Sequence, residues 1–309
     1  MTAVRSLPVS VGLPVHRVDL GDEFVSGDAI AELSVVAEKA GYDAVSVTDH
    51  PFPGDKWLAR GGHHALDPFS SLAFAAAATS TLRLHTNLLV LAYRNPWLAA
   101  HQVATLDRLS GGRVILGVGA GYLKPEFEAL GVDFDGRNER TDEGLRILRR
   151  AWSGESIDGN TMRPTPAQPG GPPIWIGGNT RRAVRRAVEL ADGWSPFPSG
   201  PASVAAATRT APLATPADLG VLVEYARSHA ASVGRTAPLD VIFMPMSLTM
   251  TGQRKLSWEA GPIIDEVGEL ASGGVTGLTV MLPGDSRAEF ADELGRFAAE
   301  VFPHLPSMP

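Results

Sequence analysis

Three stretches of this sequence put reactive side chains or bare backbone where a strand ends. The first is Ala44–His50, Ala-Val-Ser-Val-Thr-Asp-His, closed at once by Pro51. Branched Val45, Val47 and Thr48 favour an extended chain, and the proline stops it. An acid, Asp49, and an imidazole, His50, therefore arrive side by side at a strand end. An imidazole titrates near physiological pH and suits general acid/base work. A carboxylate, with a reference pKa of about 3.9, suits holding a ligand or orienting the imidazole instead. The plainer alternative is that Asp49 caps a turn and His50 bonds only backbone.

The second stretch is Gly117-Val118-Gly119-Ala120-Gly121. A dinucleotide fingerprint of the form G-x-G-x-x-G would need its third glycine at Tyr122, so that reading fails. The remaining readings are backbone left bare for a flat ligand or a simple tight turn. The third stretch is Ile176-Gly177-Gly178-Asn179-Thr180, a strand running through two glycines into a helix start. Amides there point toward the positive end of the helix dipole and suit a phosphate; the alternative is a turn with Asn179 or Thr180 as N-cap. Arg181, Arg182, Arg185 and Arg186 follow, interleaved with Ala183, Val184, Ala187 and Val188, which predicts an arginine-bearing solvated outer face. His50, His63 and His64, with a lone His16, are a poor match to a catalytic metal site, which needs a preset ligand geometry.

These stretches need a frame. Val9–Leu13 is a short apolar strand. Helical spacing of Ile30, Leu33, Val36, Ala37 and Ala40 follows, stopped by Gly41. After the strand to His50, Asp67-Pro68 reads as an N-cap with proline in the first turn. Further strands are expected at Leu82–Leu91, Val114–Val118, Ile174–Ile176, Gly193–Ser195, Leu239–Leu248 and Gly277–Leu282. Between them lie helical patterns led by Pro96, Leu123, Arg137, Thr180, Asp218, Trp258 and Phe290. Gly154–Pro173 and Pro196–Pro216 are insertions longer than ordinary connections. Repeated strand–helix alternation predicts a parallel sheet, and about eight units fit a closed (β/α)8 barrel with insertions in its strand-to-helix loops. An open doubly wound sheet is the alternative. No linker divides the chain, so residues 1–309 are read as one domain.

Composition narrows the chemistry. The chain has 309 residues, 44% hydrophobic, enough for a large core. A net charge of −7 without a basic tract argues against nucleic acid and anionic membranes as partners. The chain has no cysteine, which removes disulfides, thiolate metal sites and a cysteine nucleophile together. No run of about 20 apolar residues spans a bilayer, and no charged segment followed by an apolar stretch opens the chain; a cytoplasmic protein is expected. No G-x-S-x-G elbow or P-loop supports hydrolysis.

Taken jointly, several motifs resemble the bacterial luciferase-like superfamily. They are Thr48-Asp49-His50, Thr86-Asn87-Leu88, Arg94-Asn95-Pro96, Leu106-Asp107, Leu109-Ser110-Gly111-Gly112-Arg113, Gly117 through Tyr122, Glu126-Phe127, Gly131 and Arg140. Pro173 through Asn179 and Ala191-Asp192-Gly193-Trp194 complete the set. The resemblance covers most of residues 9–195. It implies a (β/α)8 barrel, often a homodimer, binding FMN or the deazaflavin coenzyme F420, and lies closest to the branch using F420 for hydride transfer to or from a small molecule. It also implies that Asp49 and His50 touch the deazaflavin and the reacting centre, with His50 as the acid/base. By the same resemblance Asn87, Leu88, Gly119, Ala120 and Tyr122 line the cofactor, and Gly177, Gly178, Asn179 and Thr180 form its phosphate grip. The Asn87–Leu88 bond is a candidate cis peptide. Some sugar-phosphate dehydrogenases in the branch carry glutamate where this chain has Tyr122, which points to a different substrate. The rival readings are an FMN-dependent monooxygenase and a flavin-binding barrel without catalysis.

Overall fold

The computed structural model describes residues 7–199, 209–248 and 256–307. Eight parallel strands close on themselves in chain order: β1 (Val9–Gly12), β2 (Ala44–Val47), β3 (Arg83–Val90), β4 (Val114–Gly119), β5 (Ile174–Gly177), β6 (Gly193–Ser195), β7 (Asp240–Phe243) and β8 (Gly277–Val280). Val11 pairs with Val45 on one side and Val280 on the other, so no edge is left open. This is the (β/α)8 barrel, not the open sheet. Helices α1 (Gly27–Ala40), α2 (Asp55–Leu58), α3 (Pro68–Ala78), α4 (Pro96–Leu109), α5 (Lys124–Ala129), α6 (Arg137–Trp152), α7 (Arg181–Leu190), α8 (Pro216–Ser232), α9 (Ala260–Ser272) and α10 (Arg287–Val301) lie among the described residues. None is long and apolar enough to cross a membrane.

Two layers of core follow from strand alternation. Side chains facing the helices, such as Val11, Val45, Leu84, Leu116 and Ile176, merge with the helices' inner faces. Inside the barrel, Ala44, Ile115, Trp175 and Ile242 form a second cluster, with His85 stacked edge-on against Trp175 at 5.0 Å. Asp67 caps α3 with proline in the first turn, as its sequence predicts, and Asn95 caps α4 just before the expected Pro96.

Three expectations are corrected. Strand β2 ends at Val47, so Thr48, Asp49 and His50 lie in the loop beyond it. The seventh strand ends at Phe243, because Pro245 interrupts the chain and residues 246–248 form a 3-10 turn. The arginine face of α7 is solvated at Arg181, Arg182 and Arg185, as its pattern predicts, but not at Arg186. Arg186 is buried on Asp142 and Asn138, and Arg182 binds Glu139 and Asp142. Arg185 bonds the Tyr225 hydroxyl and Arg181 lies over the Tyr225 ring. Flanking acids and an aromatic on α6 and α8 turn these charges into helix-to-helix contacts. The Gly154–Pro173 insertion carries a small antiparallel bridge, Ile157 with Asn160; part of the Pro196–Pro216 insertion lies outside the described residues.

Candidate active site

Because all strands are parallel, their carboxyl ends share one rim, and four consecutive loops bring the expected site residues to it. Asp49 and His50 follow β2, Asn87 and Leu88 belong to the end of β3, Gly119 to Tyr122 leave β4, and Gly177 to Thr180 leave β5.

The end of β3 shapes this rim. Its pairing with β4 slips between Thr86 and Leu89, and the Asn87–Leu88 peptide is cis. The slip pushes Leu88 toward its neighbours. A Cβ on Gly177 would stand 2.0 Å from Leu88 Cδ1, and one on Gly117 would stand 2.1 Å from the Thr86 carbonyl oxygen. These two glycines are bare because β3 bulges against them. That corrects the reading of Gly117 as room for a ligand. At Gly119 a Cβ would meet Leu88 only at ordinary distance, 3.5 Å. The glycine that needs its conformational freedom in the β5 turn is Gly178, at φ +106.

Asp49 is buried and fully committed. Its carboxylate accepts the Val90 amide at 2.9 Å and the two terminal nitrogens of the Arg94 guanidinium, at 2.5 and 2.9 Å. It ties the β2 loop to the end of β3 rather than reaching the imidazole.

The imidazole is held by a residue that sequence reasoning noticed only as part of a motif. Glu126, fully buried on α5, places Oε2 3.2 Å from His50 Nδ1. The Tyr93 hydroxyl donates to the same oxygen at 2.7 Å, and the Phe52 amide donates to Oε1 at 2.9 Å. Burial alone would raise this carboxyl, but the bonds from His50, Tyr93 and Phe52 prevail and hold it below the usual carboxylate range. An ionised Glu126 accepts only, so the His50 proton sits on Nδ1. His50 Nε2 makes no hydrogen bond among the described residues and is open to a ligand. The one available signal for Glu126 was an acid beside Phe127 on the inward face of a six-residue helix.

Rings surround His50. Trp57 lies at 4.8 Å, His63 at 4.9 Å and Tyr122 at 6.0 Å between centroids, and His16 stands 5.5 Å from His63. Burial, then His63 and Arg17, lower His16 to about 4, and burial lowers His63 as well. Burial, with Glu126 beside it, raises the Tyr122 phenol to about 12. His16, His63 and Tyr122 are thus uncharged near neutral pH. Among the described residues no three acids or imidazoles gather to hold a metal.

At the β5 turn, the Thr180 hydroxyl accepts the Ala183 amide and caps α7. The amides of Arg181 and Arg182, in the first turn, have no intrahelical acceptor and suit an anion. Asn179 serves the scaffold instead. Its amide donates to the Thr210 hydroxyl, and its buried side chain bonds Phe197 and Ala211.

Residues 11–252 match the luciferase-like monooxygenase family. The chain belongs to that family. Among curated luciferase-like relatives, it is 33% identical over 179 residues to an F420-dependent glucose-6-phosphate dehydrogenase of Nocardia farcinica, a match covering 53% of this chain and 52% of the relative. It is 31% identical over 202 residues to an FMNH(2)-dependent dimethylsulfone monooxygenase of Pseudomonas fluorescens, covering 60% and 51%. The chain therefore spans about half the length of the curated relatives it matches. The crystal structure of monooxygenase RslO1 from Streptomyces bottropensis superposes with a TM-score of 0.77 over 96% of this chain and 99% of the other, at 18% identity. That likeness is one of fold. The family thus includes users of F420 and users of FMN among this chain's relatives.

Proposed function

We propose that this luciferase-like barrel is an oxidoreductase that moves a hydride between C5 of coenzyme F420 and a small organic substrate. The observation that carries the reading is the His50–Glu126 pair, which leaves an imidazole lone pair free at the strand-end rim. The cofactor residues fit a flavin-like group: half-buried Asn87, Leu88, Gly119, Ala120 and Tyr122 along one side, and Gly178, Thr180 and the first amides of α7 for its phosphate. When bound, the deazaflavin supplies the hydride chemistry. His50 Nε2 takes the proton from an alcohol, or returns it to a carbonyl, while Glu126 stabilises the imidazolium formed. Asp49 holds the cofactor loop through Arg94 and Val90. The uncharged rings of Trp57, His63 and Tyr122 favour an uncharged substrate over a sugar phosphate.

The dimethylsulfone monooxygenase relative supports the rival reading, an FMN-dependent monooxygenase using reduced flavin and oxygen. A binding titration of F420 against FMN tests the two. Tight F420 binding with weak FMN binding is expected; the reverse preference, with oxygen-dependent bleaching of reduced FMN, overturns the proposal. We also propose a homodimer, built on the adjoining helices α3 and α4, whose Phe74, Trp97 and Leu98 are exposed apolar side chains. Sedimentation of the wild type and of a Leu98→Glu variant tests it: a wild-type monomer refutes it.

A further inference from the structure

Beside the β5 turn, two arginines face one aromatic ring, and neither forms an ion pair among the described residues. Phe134, buried between the β4 loop and α6, has the Arg137 guanidinium 3.9 Å and the Arg209 guanidinium 4.8 Å from its ring centroid. Arg137 spends one donor on the Phe134 carbonyl at 2.9 Å, and among the described residues no hydrogen bond engages Arg209. Asp135 and Glu139 are the acids nearest Arg137, but Glu139 already binds Arg182 at 2.8 Å. Burial first, and then the like charge of Arg209, lower Arg137. Two cations held together with most of their donors unspent present a fork matched to an oxyanion.

The location joins this fork to the rim. Arg209 precedes Thr210, whose hydroxyl accepts the Asn179 amide at 2.9 Å. Arg137 opens α6, which binds the first turn of α7 through Arg182. Loops after β4, β5 and β6 thus converge around the α7 N-terminus. Phe134 also packs edge-on with Phe127, which packs on Tyr93, the Glu126 partner.

We propose that Arg137 and Arg209 form a second anion subsite, binding a carboxylate further along the ligand whose phosphate lies at the Gly178–Thr180 turn. This rests on the cofactor reading above and deepens it. F420 carries a phosphodiester followed by glutamate carboxylates, whereas FMN ends at one phosphate. The fork therefore selects the longer polyanion.

The test is a fluorescence titration of wild type and Arg137→Gln/Arg209→Gln with F420 carrying short and long glutamate tails, with its tail-free deazaflavin chromophore, and with FMN. Thermal melts in inorganic phosphate and in citrate run in parallel. The double variant should lose F420 affinity roughly ten- to a hundredfold, the range for charge-assisted bonds. It should bind the tail-free chromophore as wild type does. A loss that grows with tail length assigns the fork to the distal carboxylates and one independent of tail length to the first; an equal loss with FMN shows that the fork reads the phosphate at the turn and overturns the second subsite. Unchanged F420 affinity in a folded variant overturns the subsite, as does an equal loss with the tail-free chromophore. If wild type binds no deazaflavin, the cofactor reading fails by itself. The subsite then stands if phosphate or citrate raises the wild-type melting temperature and not the variant's, and falls if both respond alike.

Discussion

Glu126 holds His50 through Nδ1 at 3.2 Å, and the two lie 76 residues apart in the chain. One carboxylate thereby sets the tautomer, the orientation and the available nitrogen of the acid/base candidate. His50→Asn is expected to retain cofactor binding and lose about 10²–10⁴-fold in turnover. Glu126→Gln should lose less, because the amide still accepts from Tyr93 or Phe52, and should alter the pH profile of turnover. Stopped-flow reduction of bound cofactor across pH reads both. Wild-type rates in His50→Asn would remove its acid/base role.

Asp49 predicts a different failure. Truncation to alanine strands the Arg94 guanidinium and the Val90 amide, and breaking a buried pair costs about 3–5 kcal/mol. Asp49→Ala should therefore lower the denaturation midpoint and weaken cofactor binding together, through displacement of the β3 end. A variant with wild-type stability that only loses turnover would contradict this.

Gly177 couples to Leu88 rather than to a phosphate alone. Gly177→Ala should destabilise the barrel and weaken cofactor binding, and Leu88→Ala should restore part of both by emptying the space that the new methyl needs. Contacting residues commonly show interaction energies of about 0.5–3 kcal/mol. A double-mutant cycle with additive effects rules the coupling out.

His85 gives the fold an acid limit. It is fully buried in the barrel, with Nδ1 3.1 Å from the Ser10 hydroxyl and, among the described residues, no partner for Nε2. Burial, and then Arg83, lower its pKa from 6.5 to about 3. The unfolded chain therefore binds a proton that the folded chain refuses between those two values. Stability should be full above pH 6.5 and decline as pH falls toward 3, by up to about 1.4 kcal/mol per pH unit. His16, lowered to about 4, acts in the same direction. Urea midpoints at pH 7.5 and 5 check this, and His85→Gln should show the smaller difference. Equal slopes in both proteins would refute the assignment.

Much of this molecule was legible in the chain because local signals agreed. The Asp67 N-cap and prolines Pro68 and Pro96 set helix starts, and branched residues with short helix-to-strand links set the alternation that closes as a barrel. Strand ends delivered Asp49, His50 and Gly178 to one rim for the same reason: parallel strands have their carboxyl ends together. Partners were not legible, because contact across a barrel does not follow spacing along it. Glu126 rather than Asp49 holds His50, Arg94 claims Asp49, and Leu88 explains Gly177. On α7 the pattern read the arginines as solvated, which holds for Arg181, Arg182 and Arg185, but it did not show that Asp142 on α6 takes in Arg186. Periodicity reports which face of an element is apolar; only the closed barrel decides which charges meet, since burial and pairing belong to the neighbours each loop finds in space.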